Sequence, residues 1–539
     1  MRERWSAIAG ATALALLLAG CTSSAEPNPQ VSDVWTQEVA WGECAEDLLV
    51  GSDQSDPGFQ RGDVECAEIA VPVDYSHPKG PKLTLALMKD PASGDSADYQ
   101  GALFSNPGGP GQSGIDYIQS APLPAALRDA YDVIGFDPRG VGASSPVRCS
   151  DDLDLRSYFE WPFDVKNQAE ADASKAAELE YFQDCEQRNP YWWAVATTQV
   201  VQDMELMRRL LTGAEPLNFV GHSYGTVLAA RYITEFPSHV GRIVLDSPVT
   251  QEQEKLEARI ASAKAGAAAR ERIFAACAKD PECYGDTVKE VEDHLIWARD
   301  EVLAGRMVGV VAGMRPEGFF KSGNGTSAYL ILHAIDLLAY WPLEDAYTTF
   351  KDIYGRLETG DYAGFEWLGL YQDGYDLENN LARDNSYEIL NIVNCLDRDL
   401  RDTRSDEVIE RERVRYEAAD PFSLRFHSVY DFEPAPDERP GCYWSWRAYD
   451  EPKIADPPKK STPFSNTSGK EAVVIGSMGD NVTPFEWSAE VANTLKSPLI
   501  AYGGTGHAIL WNGIGCIDDP VLDFLLTGKV PETKACPAQ

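Results

Sequence analysis

Positive charge is scarce in this chain. Its 539 residues carry 47 Lys and Arg against 85 Asp and Glu, a formal net charge of −38. No long basic run occurs anywhere in it. A surface that acidic repels nucleic acid and anionic membrane surfaces, which excludes nucleic acid as a partner and suits a soluble body working outside the cell. Membrane-spanning apolar runs are lacking as well: the stretch Ala7–Leu18 is about a dozen residues, short for a bilayer. There is no C-x-x-C pair, and no histidine stands near two cysteines, so neither a zinc site nor any other metal or cofactor is expected. Histidine is rare, with seven in all. No internal repeat is visible, and 44% hydrophobic residues are enough to bury a sizeable core.

What the N-terminus does contain is an export signature. Met1–Arg4 holds two arginines, the apolar run follows, and it ends in Leu18-Ala19-Gly20-Cys21. Small residues before a cysteine resemble a bacterial lipobox, in which Cys21 would take a diacylglyceryl group. The expectation is a signal segment at 1–21, a Ser/Pro/Asn-rich tether at 22–34, and contact with a membrane through the lipid anchor alone. Removing Cys21 from the 11 cysteines leaves an even number, as disulfides in an exported chain require. Sequence does not fix connectivity. Proximity along the chain suggests Cys44–Cys66, Cys149–Cys185, Cys277–Cys283, Cys395–Cys442 and Cys516–Cys536.

Apolar strand-like runs alternate with helical spacing from residue 102 to about 248, as in Tyr131–Phe136, Leu217–Val220 and Arg242–Leu245. Strands buried on both faces and joined through helices predict an α/β class, a mostly parallel sheet covered on both sides. The alternation stops near Pro248 and returns at Ala472–Ile475, with helices predicted near Glu486–Leu495 and from Pro520 to Leu526. Between them the chain is charged, helical in places and rich in aromatics, including the Ala-rich helix Leu256–Cys277. The organisation expected is a core at 35–249, a large, mainly helical cap at 250–465 and a returning core at 466–539. The Pro/Lys-rich stretch 452–463 is a hinge out of the cap.

Gly221-His222-Ser223-Tyr224-Gly225 fits G-x-S-x-G between a predicted strand and a predicted helix. A sharp strand-to-helix turn lifts such a serine above the sheet edge, and the helix N-terminus stabilises developing negative charge. Serine is a weak nucleophile and needs a base. Of the five histidines after Ser223, only His507 follows the last strands, in the glycine-rich Gly503–His507. The acid should leave a strand between the cap and His507, which selects Asp480; Asp246 is its rival, better suited to shaping the loop into the cap. Two N–H donors must bind the oxyanion. Tyr224 follows the nucleophile, and Gly109 stands in Gly108-Gly109-Pro110-Gly111, where Pro110 has no N–H.

Together these motifs resemble the prolyl and tripeptidyl aminopeptidase-like serine peptidases. Pro107–Gly111 is similar to that family's HGGPG loop, with proline in the histidine position, and Asp137–Gly142 to its D-x-R-G-x-G motif. Gly479–Pro484 and Gly504–His507 resemble its acid and histidine loops, and Cys516 with Cys536 its C-terminal cysteine pair. The resemblance implies an α/β-hydrolase fold and release of short peptides from a free N-terminus. Such an enzyme must neutralise the substrate ammonium with a carboxylate. Asn391–Asp397 is similar to a family segment at the cap border, which makes Asp397 the candidate. A carboxylesterase or lipase could use the same triad, and an inactive binding lipoprotein is the third class; the intact triad argues against the last.

Overall fold

The computed structural model describes residues 33–149, 182–307, 325–424 and 462–538, apart from breaks at 51–57, 61–62, 95–96, 254, 373–374, 377–380, 383 and 398–405, with isolated positions between 169 and 180. The expected signal segment, Cys21, most of the tether, Cys442 and the hinge at 452–461 lie outside the described residues.

Ten strands form one sheet: β1 (Gly42–Glu43), β2 (Glu65–Pro72), β3 (Lys82–Asp90), β4 (Ala102–Asn106), β5 (Asp132–Phe136), β6 (Leu217–His222), β7 (Val240–Asp246), β10 (Val473–Gly479), β11 (Leu499–Thr505) and β12 (Lys534–Cys536). Among the described residues the intervening β8 (Tyr375–Asp376) and β9 (Leu381–Ala382) pair only with each other. Order across the sheet is β1-β2-β3-β5-β4-β6-β7-β10-β11-β12. β1 to β3 are antiparallel neighbours, β3 meets β5 antiparallel, and every pairing from β5 through β4 to β12 is parallel.

Successive residues of the central strands serve opposite faces. Phe104, Ile134, Phe219, Leu245 and Val474 enter one apolar cluster, and their neighbours Leu103, Val133, Val220, Val244 and Val473 enter another. This two-sided burial explains why the strands read as continuous apolar runs. The first cluster is closed by α3 (Thr197–Thr212) and α4 (Gly225–Glu235); the second by α1 (Gly114–Ser120), α2 (Ala125–Ala130) and α14 (Gly515–Thr527). The chain has the α/β-hydrolase fold, with helices between β7 and β10.

That helical stretch contains α5 (Leu256–Cys277), α6 (Val288–Leu303), α7 (Gly325–Leu338), α8 (Leu343–Gly355), α9 (Ala363–Gln372), α10 (Ser386–Asp397), α11 (Asp406–Glu417) and the short α12 (Pro421–Leu424), before α13 (Phe485–Leu495) returns to the sheet. α5 to α9 and Phe422 enclose a third apolar cluster of their own. α10 behaves differently: Ile389, Ile392, Val393, Cys395 and Leu396 join the cluster beneath the sheet. No helix among the described residues is long and apolar enough to cross a membrane.

Four disulfides are formed as proximity suggested: Cys44–Cys66, Cys149–Cys185, Cys277–Cys283 and Cys516–Cys536. Cys395 is also disulfide-bonded.

Candidate active site

β6 ends at His222, and Ser223 takes φ +51°, a conformation that costs a non-glycine residue free energy and persists only where its surroundings impose it. The flanking glycines are what the turn requires. A Cβ on Gly221 would lie 2.4 Å from the Gly225 carbonyl, and one on Gly225 would lie 2.5 Å from the Asn106 carbonyl. The Ser223 N–H donates to the Asp246 carbonyl at 3.0 Å, which pins the turn to the end of β7.

The glycine loop after β4 closes over this turn. Gly108, at φ +107°, has no room for a side chain: its Cβ would stand 2.6 Å from the His222 carbonyl, 2.9 Å from the Tyr224 nitrogen and 3.0 Å from Ser223 Cβ. The Gly108 N–H is spent on Asn106 Oδ1 at 3.0 Å. Neither the Gly109 nor the Tyr224 N–H donates to any group of the described residues. Gly108 therefore lies against the Tyr224 nitrogen, and it is the N–H of its neighbour Gly109, not its own, that has no acceptor among the described residues.

Asp480 follows β10 and is 2% exposed. Oδ1 accepts the Val482 and Thr483 N–H groups at 2.9 and 2.8 Å, and Oδ2 accepts the Thr483 hydroxyl at 2.9 Å. His507, on the loop after β11, sets Nδ1 at 2.9 Å from Oδ2 and 3.1 Å from Oδ1. Tyr340 holds the residue in turn: the His507 backbone N–H donates to the Tyr340 carbonyl at 3.1 Å, and the two rings meet edge to face at 5.4 Å. Nε2 makes no hydrogen bond among the described residues. Burial works to raise the Asp480 carboxyl, but the charge and hydrogen bond of His507 and the Thr483 and Val482 N–H groups outweigh it and hold it below the ordinary value. Burial likewise works to lower His507, and the Asp480 carboxylate, with help from Asp246, raises it above the ordinary value. This arrangement suits a base that accepts a hydroxyl proton and keeps the resulting imidazolium.

Asp397, the expected ammonium receptor, ends α10. Its Oδ1 accepts the Thr197 N–H at 3.0 Å and its Oδ2 accepts the Thr197 hydroxyl, which also contacts the Tyr224 hydroxyl. Thr197 is the first residue of α3, so this carboxylate caps that helix. At the opposite end of α10, the Ser386 backbone lies against the glycine loop, since a Cβ on Gly111 would stand 2.4 Å from its carbonyl. Two residues on is Glu388, half-buried and pushed up to about 7, by burial first and by Asp384 next. Nothing in the sequence singled it out from the other acids.

Asp246 is not the acid partner of His507. Its Oδ2 lies 2.9 Å from His222 Nδ1 and accepts the Leu510 N–H at 3.0 Å. Thr483, three residues after the acid, was likewise not distinguished in the sequence, although its hydroxyl lies 3.3 Å from His507 Nδ1 as well as on Asp480.

Comparison with known proteins agrees with this geometry. A family described as alpha/beta hydrolase fold matches residues 101–283, and one described as TAP-like protein matches residues 442–536. The chain is 29% identical to Serine protease Hip1 of Mycobacterium tuberculosis, over 98% of this chain and 96% of that one. It is 27% identical to a Tripeptidyl aminopeptidase of Streptomyces lividans, over 91% and 85%. It is 28% identical to Carboxylesterase B of M. tuberculosis, over 96% and 93%. The chain is thus similar to serine hydrolases over nearly its whole length, with residues 101–283 like the alpha/beta hydrolase fold family and 442–536 like the TAP-like family.

Proposed function

We propose that this protein is an exported, lipid-anchored aminopeptidase that releases short peptides from free N-termini through a Ser223 acyl-enzyme. The observation that carries the reading is the buried Asp480–His507 pair, tied through Asp246 and Ser247 to the strained Ser223 turn. In this mechanism His507 Nε2 takes the Ser223 proton as Oγ attacks the scissile carbonyl. The Gly109 and Tyr224 N–H groups bind the oxyanion, and the imidazolium then protonates the leaving amine. Asp480 holds the Nδ1–H tautomer throughout. Water, activated by the same base, frees the acyl group. The domain reading goes with this: 35–249 and 466–539 form the hydrolase body, and 250–465 is a cap that admits short chains. Cys21 is the lipidation site.

Recognition of the substrate ammonium falls to the carboxylates of α10. Asp397 remains a candidate but shares its oxygens with Thr197. Glu388, on the first turn beside the glycine loop, is the second. The peptidase names of two relatives support the reading, and Carboxylesterase B keeps an ester-cleaving alternative in view.

The test is kcat/KM on matched peptide anilides with free and acetylated N-termini, with simple esters alongside. A charge-assisted hydrogen bond of about 1.5–3 kcal/mol predicts roughly a 10- to 150-fold loss on acetylation. Equal rates on both anilides, with faster ester cleavage, would replace the aminopeptidase reading with the esterase one. Asp397→Asn and Glu388→Gln then show which carboxylate carries the discrimination. Ser223→Ala is expected to abolish labelling by a fluorophosphonate, and retained labelling would overturn the nucleophile.

A further inference from the structure

We propose that Asp246, fixed by His222 and Tyr117, is a positioning residue that holds the Ser223 turn and the His507 loop in one frame. This rests on the triad reading above and adds to it a role for three residues outside the triad.

Asp246 ends β7, is wholly buried, and is tied to both catalytic loops. Its carbonyl accepts the Ser223 N–H at 3.0 Å. Its Oδ2 accepts the N–H of Leu510, three residues past His507, at 3.0 Å. The next residue extends the clamp: Ser247 Oγ accepts the Ala508 N–H at 2.9 Å, and the Ser247 N–H donates to Ile475 on β10, the strand that delivers Asp480. Two consecutive residues thus hold hydrogen bonds to the nucleophile turn, the histidine loop and the acid strand.

Backbone strain gathers at this clamp. Among the described residues, the non-glycine positions with positive φ are Ser145, Ser223, Ser247, Lys496, Ala508 and Trp511. Four of these, Ser223, Ser247, Ala508 and Trp511, lie in the clamp itself or in the two catalytic loops that it holds. Strained residues persist only where their surroundings over-determine them, and the clamp is what over-determines these.

His222 and Tyr117 fix the carboxylate itself. His222 is 4% exposed, with Nδ1 at 2.9 Å from Asp246 Oδ2 and Nε2 at 2.7 Å from the Tyr117 hydroxyl. The neutral tautomer that satisfies both contacts gives its Nδ1–H to Asp246 and accepts the Tyr117 O–H at Nε2. Among the described residues Asp246 Oδ1 is buried without a hydrogen-bond partner, so the charge of this carboxylate is incompletely satisfied locally. That charge reaches His507 and favours its protonated form, alongside the larger effect of Asp480. The groups facing the two ends of this unit are Tyr117 and His222 on one side and His507, Asp480, the Thr483 hydroxyl and the Tyr340 ring on the other.

The readout is the second-order rate of fluorophosphonate labelling as a function of pH, which needs no knowledge of the substrate. In Asp246→Asn, loosened register should slow labelling about 10²-fold. The acid limb of the profile should also move to lower pH, because His507 loses a charge that favoured its protonation. A residue that only supported the fold would leave that limb in place. Wild-type labelling and an unmoved limb in a folded Asp246→Asn would overturn the proposal. If that variant fails to fold, Tyr117→Phe decides: it removes one hydroxyl, and several-fold slower labelling with an unchanged circular dichroism spectrum is expected. Wild-type labelling in that variant would overturn the role given to this unit. Ser223→Ala separates the two readings, since labelling retained there indicts the triad, whereas wild-type-like Asp246→Asn beside an unlabelled Ser223→Ala indicts only the clamp.

Discussion

Asp480 and His507 titrate as a pair, and their shifts set an activity window. The base must be neutral to take the Ser223 proton, and its raised pKa places the acid limb of kcat/KM above about 6.5, the ordinary histidine value. Asp480→Asn removes the first of the charges that raise it and misplaces the tautomer. It should cut kcat about 10⁴-fold while shifting the residual limb downward. The same shifts bear on stability with a definite sign. Asp480 is lowered in the folded state, so its contribution is lost as pH falls through its folded value; His507 is raised, so its contribution is lost as pH rises through its own. Thermal melts across pH should show the pair's contribution largest between those two points. Glu388 supplies a separate residue-scale expectation. With its carboxyl at about 7, KM for a free-amine peptide should rise as pH falls through that value, while KM for the acetylated peptide stays level. A level KM for both would remove Glu388 from the recognition site.

Among the elements, the turn after β5 shows what sequence patterns convey and what they leave out. Asp137-Pro138-Arg139-Gly140-Val141-Gly142 was recognisable as a motif, but its work is structural. All five Arg139 N–H donors are used: two on Asp203 of α3 and three on the carbonyls of Pro72, Val73 and Ala194. Asn385, just before α10, pegs the same loop through the Gly140 and Val147 carbonyls. Both Arg139 and Asp203 are almost wholly buried, so Arg139→Ala strands a carboxylate and should cost about 3–5 kcal/mol in urea unfolding. Replacing both partners by apolar residues of similar volume should recover much of that loss. The strands of the sheet were legible because burial on both faces leaves an apolar run, and α5 was expected over the range it occupies, Leu256–Cys277. α14 starts at Gly515, five residues before the start that Pro520 suggests in the sequence. Burial of Ile517, Val521, Phe524 and Leu525, with Cys516 tied to Cys536, outweighs the local penalty of the proline. Asp397 is the matching lesson at the site. A carboxylate beside a family-like segment reads the same whether it meets a substrate ammonium or caps a neighbouring helix, and only the position of Thr197 reveals the cap.

At the scale of the whole molecule, burial divides the chain differently from its sequence. Residues 250–465 differ from the flanking core in composition, which is why they read as one inserted block. Burial splits that block. α5 to α9 pack around Phe274, Ile335, Phe350 and Phe365, a core that shares no member with the two clusters on the sheet. α10 instead lays Ile389, Ile392, Val393 and Leu396 into the cluster with Val195, Val200 and Tyr224. Its first turn touches the glycine loop and its last residue caps α3. An amphipathic pattern shows that a helix has a buried face but not which body receives it, so this assignment was not legible. Cooperative unfolding follows packed cores rather than chain order. Native-state hydrogen exchange should therefore find α5 to α9 opening together, at lower free energy than the sheet, while the amides of α10 exchange with β4, β6 and α3. Limited proteolysis should agree, clipping within α5 to α9 before α10. Exchange of α10 in step with α5 to α9 would mean that the block behaves as one domain, and α10 could not then serve as the rigid wall against which a substrate amine is read.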